Sequence, residues 1–190
     1  MHPGVVVRDL KPEDFWQAID LYYGYYKEVE EDPERLGREV GLTLEERPPS
    51  LADEFAWFSE TLKALERGDA VFKVAEAGGR LVGTCEIRRN RRRGFGHLGV
   101  LGIAVAREWR GRGVGRALLE AALADACGRR LFDLVVLEVM AVNERAVKLY
   151  ERLGFARYGY LPGGAKVRGR AFDVVYMYRE CNRPHAARGI

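Results

Sequence analysis

The chain is poor in cysteine: Cys85, Cys127 and Cys181 are its three, scattered through 190 residues. They lack the short paired spacings of a zinc site, so neither a metal site nor a disulfide framework is expected, and all three thiols are expected to be reduced. No apolar run is long enough to span a bilayer, and Met1-His2-Pro3-Gly4 lacks the basic-then-apolar layout of a secretory signal. A cytoplasmic protein with no membrane contact is the expectation. Charge of one sign is scarce too, since 31 Lys and Arg against 28 Asp and Glu leave only +3. That excess does not by itself argue for nucleic-acid binding. What is present is an ordinary globular balance, 47% hydrophobic and 31% charged, over a length that suits one good core. A single domain over residues 1–180 is expected, with 181–190 as a polar tail.

Apolar periodicity orders the elements. Val5-Val6-Val7 predicts a strand, and Pro12 opens a helix whose stripe is Phe15, Ile19, Tyr22, Tyr26 and Val29. Residues 30–50, punctuated by Pro33, Pro48 and Pro49, read as a loop or broken helix. Ser50 with Asp53 forms a capping box for a second helix, striped by Leu51, Phe55, Phe58, Leu62 and Leu65. Alternation over 71–76 and 81–88 around Gly78-Gly79 predicts a hairpin, followed by a basic loop over 88–96. A strand from His97 to Val105, a glycine loop, a helix to about Ala126 and a strand from Leu134 to Met140 come next. A short helix and two strands near 155–161 and 171–178 close the chain. The pattern predicts an α/β (α+β) fold with a mixed, mostly antiparallel sheet.

The glycine loop is Arg110-Gly111-Arg112-Gly113-Val114-Gly115. Between a strand and a helix, such glycines let successive backbone N–H groups face one concavity, and the helix adds unpaired donors and its positive dipole end. A phosphate-bearing ligand is expected. A nucleotide-hydrolysing loop needs Lys and then Ser/Thr where Arg116 and Ala117 stand, and a dinucleotide loop counted from Gly111 needs glycine at Arg116. Further on, Asn143 through Phe155 form a short helix with an N-cap at Asn143 and a terminator at Gly154.

Together these two segments resemble the GCN5-related N-acetyltransferase (GNAT) superfamily. Arg110, Gly113 and Gly115 fit the first part of its signature; Asn143, Ala146, Leu149, Tyr150, Gly154 and Phe155 fit the second. The likeness covers roughly residues 70–180, and Leu137-Glu138-Val139, with its glutamate twelve residues before Tyr150, is similar to the ribosomal-protein and N-terminal acetyltransferase-like branch. The resemblance implies a twisted sheet of about six to seven strands flanked by about four helices, acetyl-CoA as co-substrate, no metal, and a monomer or homodimer. It implies acetyl transfer to a primary amine by direct attack in a ternary complex, the acceptor being a protein N-terminus or lysine, or a small amine. Carried over, the backbone of Ile103, Ala104 and Val105 holds the thioester and pantetheine arm, while Gly111, Arg112, Gly113, Val114, Gly115 and Arg116 hold the pyrophosphate. Asn143 contacts the cofactor besides capping its helix, and Tyr150 is the general acid.

The base is expected to be Glu138, which interrupts an apolar strand where burial would raise its pKa; His97 and Glu86 are the alternatives. Tyr22, Tyr23, Tyr25 and Tyr26 are expected to pack as a helical stripe, with substrate gripping as the alternative, and the resemblance implies that residues 22–50 overhang the acceptor. Glu30, Glu31, Glu34, Glu39, Glu45 and Glu46 would line an acidic pocket or solvate that loop. Arg88-Arg89-Asn90-Arg91-Arg92-Arg93 is expected to be a solvated loop, since no aromatic platform accompanies it. The alternative function is an acetyl-CoA-binding regulatory module, or one associated with nucleic acid or the ribosome, without turnover.

Overall fold

The computed structural model describes residues 4–39 and 47–181. Strand β1 (Val5–Asp9) leads through a short 3₁₀ turn into α1 (Phe15–Glu31), then α2 (Leu51–Glu66). The hairpin β2 (Ala70–Ala77) and β3 (Arg80–Arg89) follows, then β4 (Leu98–Val105) and α3 (Val114–Gly128). The chain closes with β5 (Leu134–Met140), α4 (Glu144–Arg152), β6 (Ala156–Val167) and β7 (Arg170–Glu180). The seven strands run in the order β1-β2-β3-β4-β5-β7-β6, antiparallel throughout except for the β4–β5 pair. This is the mixed sheet the sequence predicts.

Strand alternation divides the core between two faces. Val71, Cys85, Ile87, Leu101, Val135 and Leu137 point one way, under Val114, Leu118 and Leu119 of α3 and Val147 and Tyr150 of α4. Phe72 and Val74 point the other way, against Phe15 and Ile19 of α1 and Phe58 of α2. Further along that second face Met140 and Val167 meet Tyr25, Tyr26 and Val29 of α1. The Ser50–Asp53 capping box forms as predicted: each backbone N–H donates to the other side chain, at 3.0 and 3.3 Å. The buried face of α2 differs from its apolar stripe, because Leu51 and Phe55 are exposed while Glu54, Phe58, Thr61 and Ala64 are buried. Thr61 is accommodated there because its hydroxyl donates to the Trp57 carbonyl (2.8 Å) and accepts from Arg88 (2.5 Å), which satisfies it without water.

One departure from regular pairing positions the site. β4 pairs with β5 only from Leu98–Val100 to Leu134–Val136. Beyond Val100, β4 continues to Val105 hydrogen-bonded to β3, while β5 continues to Met140 hydrogen-bonded to β7. Each strand follows its other neighbour, and sheet twist carries them apart. An opening results along Leu101–Val105, whose end is the glycine loop.

The expectation of three reduced thiols is corrected. Cys127 and Cys181 form a disulfide, with Cα atoms 4.9 Å apart, joining the last turn of α3 to the residue after β7. The partners are 54 positions apart, so only the fold brings them together. Cys85 alone is a free thiol among the described residues, and it is buried. Reduction is expected to lower stability by about 2–4 kcal/mol, as closing a loop of this size constrains the unfolded chain. Urea unfolding with and without reductant measures it; equal midpoints would show that the bridge adds nothing, and the Cys127→Ser/Cys181→Ser variant should ignore reductant.

Candidate functional site

The glycine loop is built as its sequence demands. Gly111 and Gly113 have φ of 79° and 84°, the left-handed region that a side chain resists, and Gly113 is the N-cap of α3. Val114, Leu118 and Leu119 are fully buried, which anchors the start of α3 beneath the sheet. A Cβ on Gly115 would touch Val105, Ile103 and Leu149, so this residue brings α3, β4 and α4 together. The first-turn N–H groups of α3 thereby point out at the end of β4.

The arginines around the loop divide by role. Arg110 turns inward: its Nε donates to the Val105 carbonyl at 2.9 Å, its terminal nitrogens reach Glu28 at 2.7 and 2.9 Å, and Glu39 lies 3.0 Å away. It ties α1 to the strand end. Arg112 stacks over the Trp109 ring, and the Arg116 side chain pairs with Glu120 at 2.8 Å, leaving Arg116 to serve the loop through its backbone. A further arginine escaped the sequence analysis. Arg145, in the first turn of α4, places its guanidinium 2.9 Å from where a Cβ on Gly111 would stand, directly at the cradle. Asn143 caps α4 as expected, its Oδ1 accepting the Ala146 N–H at 3.1 Å.

Beside the β4 opening, on the α1 and α2 face, lies a cavity of about 360 Å³. Its floor is Thr84 and Glu86 of β3 with Gly102, Ile103 and Ala104 of β4; Tyr22 and Tyr25 of α1 and Trp57 of α2 form its walls. Glu86 accepts from Arg88 Nε and Nη2 at 2.6 and 2.5 Å, and Arg88 in turn donates to Thr61. Burial pushes the Glu86 carboxyl above the ordinary range and outweighs the opposing pull of Arg88.

Cys85, the preceding residue, points to the other face, toward Tyr150. That tyrosine is buried, edge-on to Phe155 at 5.8 Å between ring centres. Burial pushes its phenol well above the usual value, with the Cys85 thiol adding to the effect, so it stays protonated. Tyr150 and Glu86 therefore stand on opposite faces of the sheet, with the β4 edge between them.

Glu138 is corrected on burial. It is exposed, and no helix among the described residues covers its stretch of the sheet; it lies opposite Tyr176 and near Tyr158, on the cavity's face but outside its lining. His97 is exposed at the far end of β4 from the glycine loop. Of the glutamates expected there, the described Glu30, Glu31, Glu34 and Glu39 do not line the cavity. Glu31, Glu34 and Glu39 pair with Arg107, Arg170 and Arg35, while Glu45 and Glu46 lie outside the described residues. Among the described residues the acidic lining comes from Asp53, Glu54 and Glu86. In the basic loop, Arg91 pairs with Glu60 and Arg92 stacks on Phe95. Among the described residues no helix is long and apolar enough to cross a membrane.

A profile of the Acetyltransferase (GNAT) family matches residues 20–155. A mycothiol acetyltransferase of Acidimicrobium ferrooxidans is 40% identical over 108 residues, which are 54% of this chain and 34% of that protein. The chain spans from a third to just over half the length of the curated relatives it first matches. Among solved structures, a ribosomal-protein-alanine N-acetyltransferase from Brucella melitensis superposes with a TM-score of 0.75 at 24% identity, over 92% of this chain and 99% of that one. The structure of yncA from Salmonella typhimurium with its cofactor acetyl-CoA gives 0.78 at 19% identity, over 97% of each chain. Both are likenesses of fold.

Proposed function

The chain belongs to the acetyltransferase (GNAT) family, and from that membership we propose that it transfers the acetyl group of acetyl-CoA to a primary amine by direct attack, both substrates being bound together. The observation that carries this is the opening between β4 and β5: it has a glycine cradle at one end, a buried phenol on one face and a half-buried carboxyl on the other.

The residues present fit the donor. Left-handed Gly111 and Gly113 and the first turn of α3 suit a pyrophosphate, with Arg145 beside them; Ile103, Ala104 and Val105 present an unpaired strand edge to the pantetheine amides. When bound, acetyl-CoA supplies an activated acyl carbon. Glu86 is the base in this proposal, replacing Glu138, because it lines the cavity that ends at the β4 edge. It takes a proton from the incoming ammonium. The N–C bond then forms as the C–S bond breaks, and the second nitrogen proton ends on sulfur, to which the Tyr150 phenol donates a hydrogen bond. Backbone N–H groups of the open edge polarise the carbonyl.

Thiol release from acetyl-CoA in the presence of amines tests the activity. Gly113→Val, which forces a β-branched side chain into a left-handed position, should weaken acetyl-CoA binding at least about ten-fold, or 1.4 kcal/mol. Unchanged affinity in a calorimetric titration would remove the cradle from the proposal.

A further inference from the structure

We propose, resting on the acetyl transfer proposed above, that the acceptor is a small organic amine carrying a second positive charge a few carbon atoms away, seated in the cavity between α1, α2 and the β3–β4 floor.

Among the described residues, the groove that a protein acceptor would need is filled. A peptide would need a groove between the tyrosine-rich helix and the last hairpin, but those elements pack together: Tyr25, Tyr26 and Val29 of α1 share a cluster with Val167 of β6. Arg168, in the hairpin turn, stacks over the Tyr26 ring, and Arg170 donates to the Pro33 carbonyl at 3.1 Å. On the other side, Tyr23 donates to the Pro49 carbonyl at 2.7 Å and Tyr26 to the Arg47 carbonyl at 3.3 Å. These bonds hold the segment leading into α2 against α1, with Pro49 forming cavity wall. What remains is about 360 Å³, near the lower end of the range for small-molecule sites.

The chemistry of that space selects charge. Among the described residues, its carboxylates are Asp53, Glu54 and Glu86, and no Lys, Arg or His lines it. Glu86 faces the β4 edge as the base, whereas Asp53 and Glu54 come from the first turn of α2, across the cavity. Tyr22, Tyr25 and Trp57 also line it, and aromatic side chains attract an ammonium group. Arg88 pairs with Glu86, so the acidic excess lies on the α2 side, and a cleft lined there by carboxylates concentrates the opposite ion. A second ammonium held by the α2 carboxylates would fix the distance of the first amine from Glu86. It would also lower that amine's pKa through like-charge repulsion, favouring the neutral form that attacks.

The test compares 1,5-diaminopentane, pentylamine and a hexapeptide with a free amino terminus, by thiol release, alongside calorimetric titration of acetyl-CoA alone. The expected result is a kcat/KM for the diamine at least about ten-fold above that for pentylamine or the peptide, with the preference collapsing toward unity in both Asp53→Asn and Glu54→Gln. Asp53→Asn keeps a capping side chain, so it guards against misfolding of the Glu54 variant. If acetyl-CoA binds but the diamine is turned over no better than pentylamine, or the peptide is preferred, or none of the three reacts, the acceptor inference is overturned and the donor site stands. If acetyl-CoA does not bind at all, the acetyltransferase proposal itself falls.

Discussion

Glu86→Gln is expected to lower kcat by about 10²- to 10³-fold at neutral pH while leaving acetyl-CoA affinity unchanged, the usual scale for loss of a general base. The pH profile carries more information than the magnitude. Burial raises the Glu86 carboxyl and Arg88 only partly opposes it, so the parent enzyme should lose activity, as pH falls, above the range of an ordinary carboxylate near ~4.3. Above that raised value Glu86 is ionised and able to accept a proton; below it the carboxyl is neutral and the rate falls. In the Gln variant this limb should vanish, leaving only the rise that follows neutralisation of the amine itself. The deficit should therefore narrow at high pH. Glu138→Gln, at an exposed position outside the cavity, should leave the profile in place. If instead it is the Glu138 variant that loses the limb, the base has been assigned to the wrong strand.

Tyr150→Phe should lower kcat by about 10²-fold, with a profile of unchanged shape. The phenol is buried and its pKa lies well above the usual value, so it remains a neutral donor throughout the working range and adds no limb of its own. Removing the hydroxyl leaves the ring contact with Phe155 in place, so the fold and the acetyl-CoA affinity should persist. A rate equal to the parent's would reduce Tyr150 to a packing residue. The two variants thus separate proton removal at nitrogen from stabilisation of the departing sulfur: one changes the profile's shape, the other only its height.

Much of this was legible in the chain because it is local. The Ser50–Asp53 box spans three residues, Gly78-Gly79 marks its hairpin directly, and β5 runs from Leu134 to Met140 as alternation and apolar content indicate. The glycine run and the Asn143 cap are equally local, and both take the conformations their residue types require. What failed depended on distant partners. The burial of Glu138 would have required a helix over its face, and α1 and α2 cover other parts of the sheet. Whether Cys127 meets Cys181 is decided by where α3 and β7 end, and the polar buried face of α2 by Arg88 arriving from β3 to satisfy Thr61. Arg145 was invisible because an exposed arginine on a short helix has no pattern of its own until the helix is set beside Gly111. Glu86 was named only as an alternative, since its neighbours Cys85 and Ile87 do not reveal that the other face of β3 opens on a cavity.

Amide hydrogen exchange with and without saturating acetyl-CoA, the saturation verified by calorimetry, tests most directly whether the donor lies along the β4 edge and its glycine cradle. Slowed exchange confined to Ile103–Val105, Gly111–Arg116 and the first turn of α4 is the predicted result. Saturable binding that leaves Gly111–Arg116 exchanging at its original rate would contradict it.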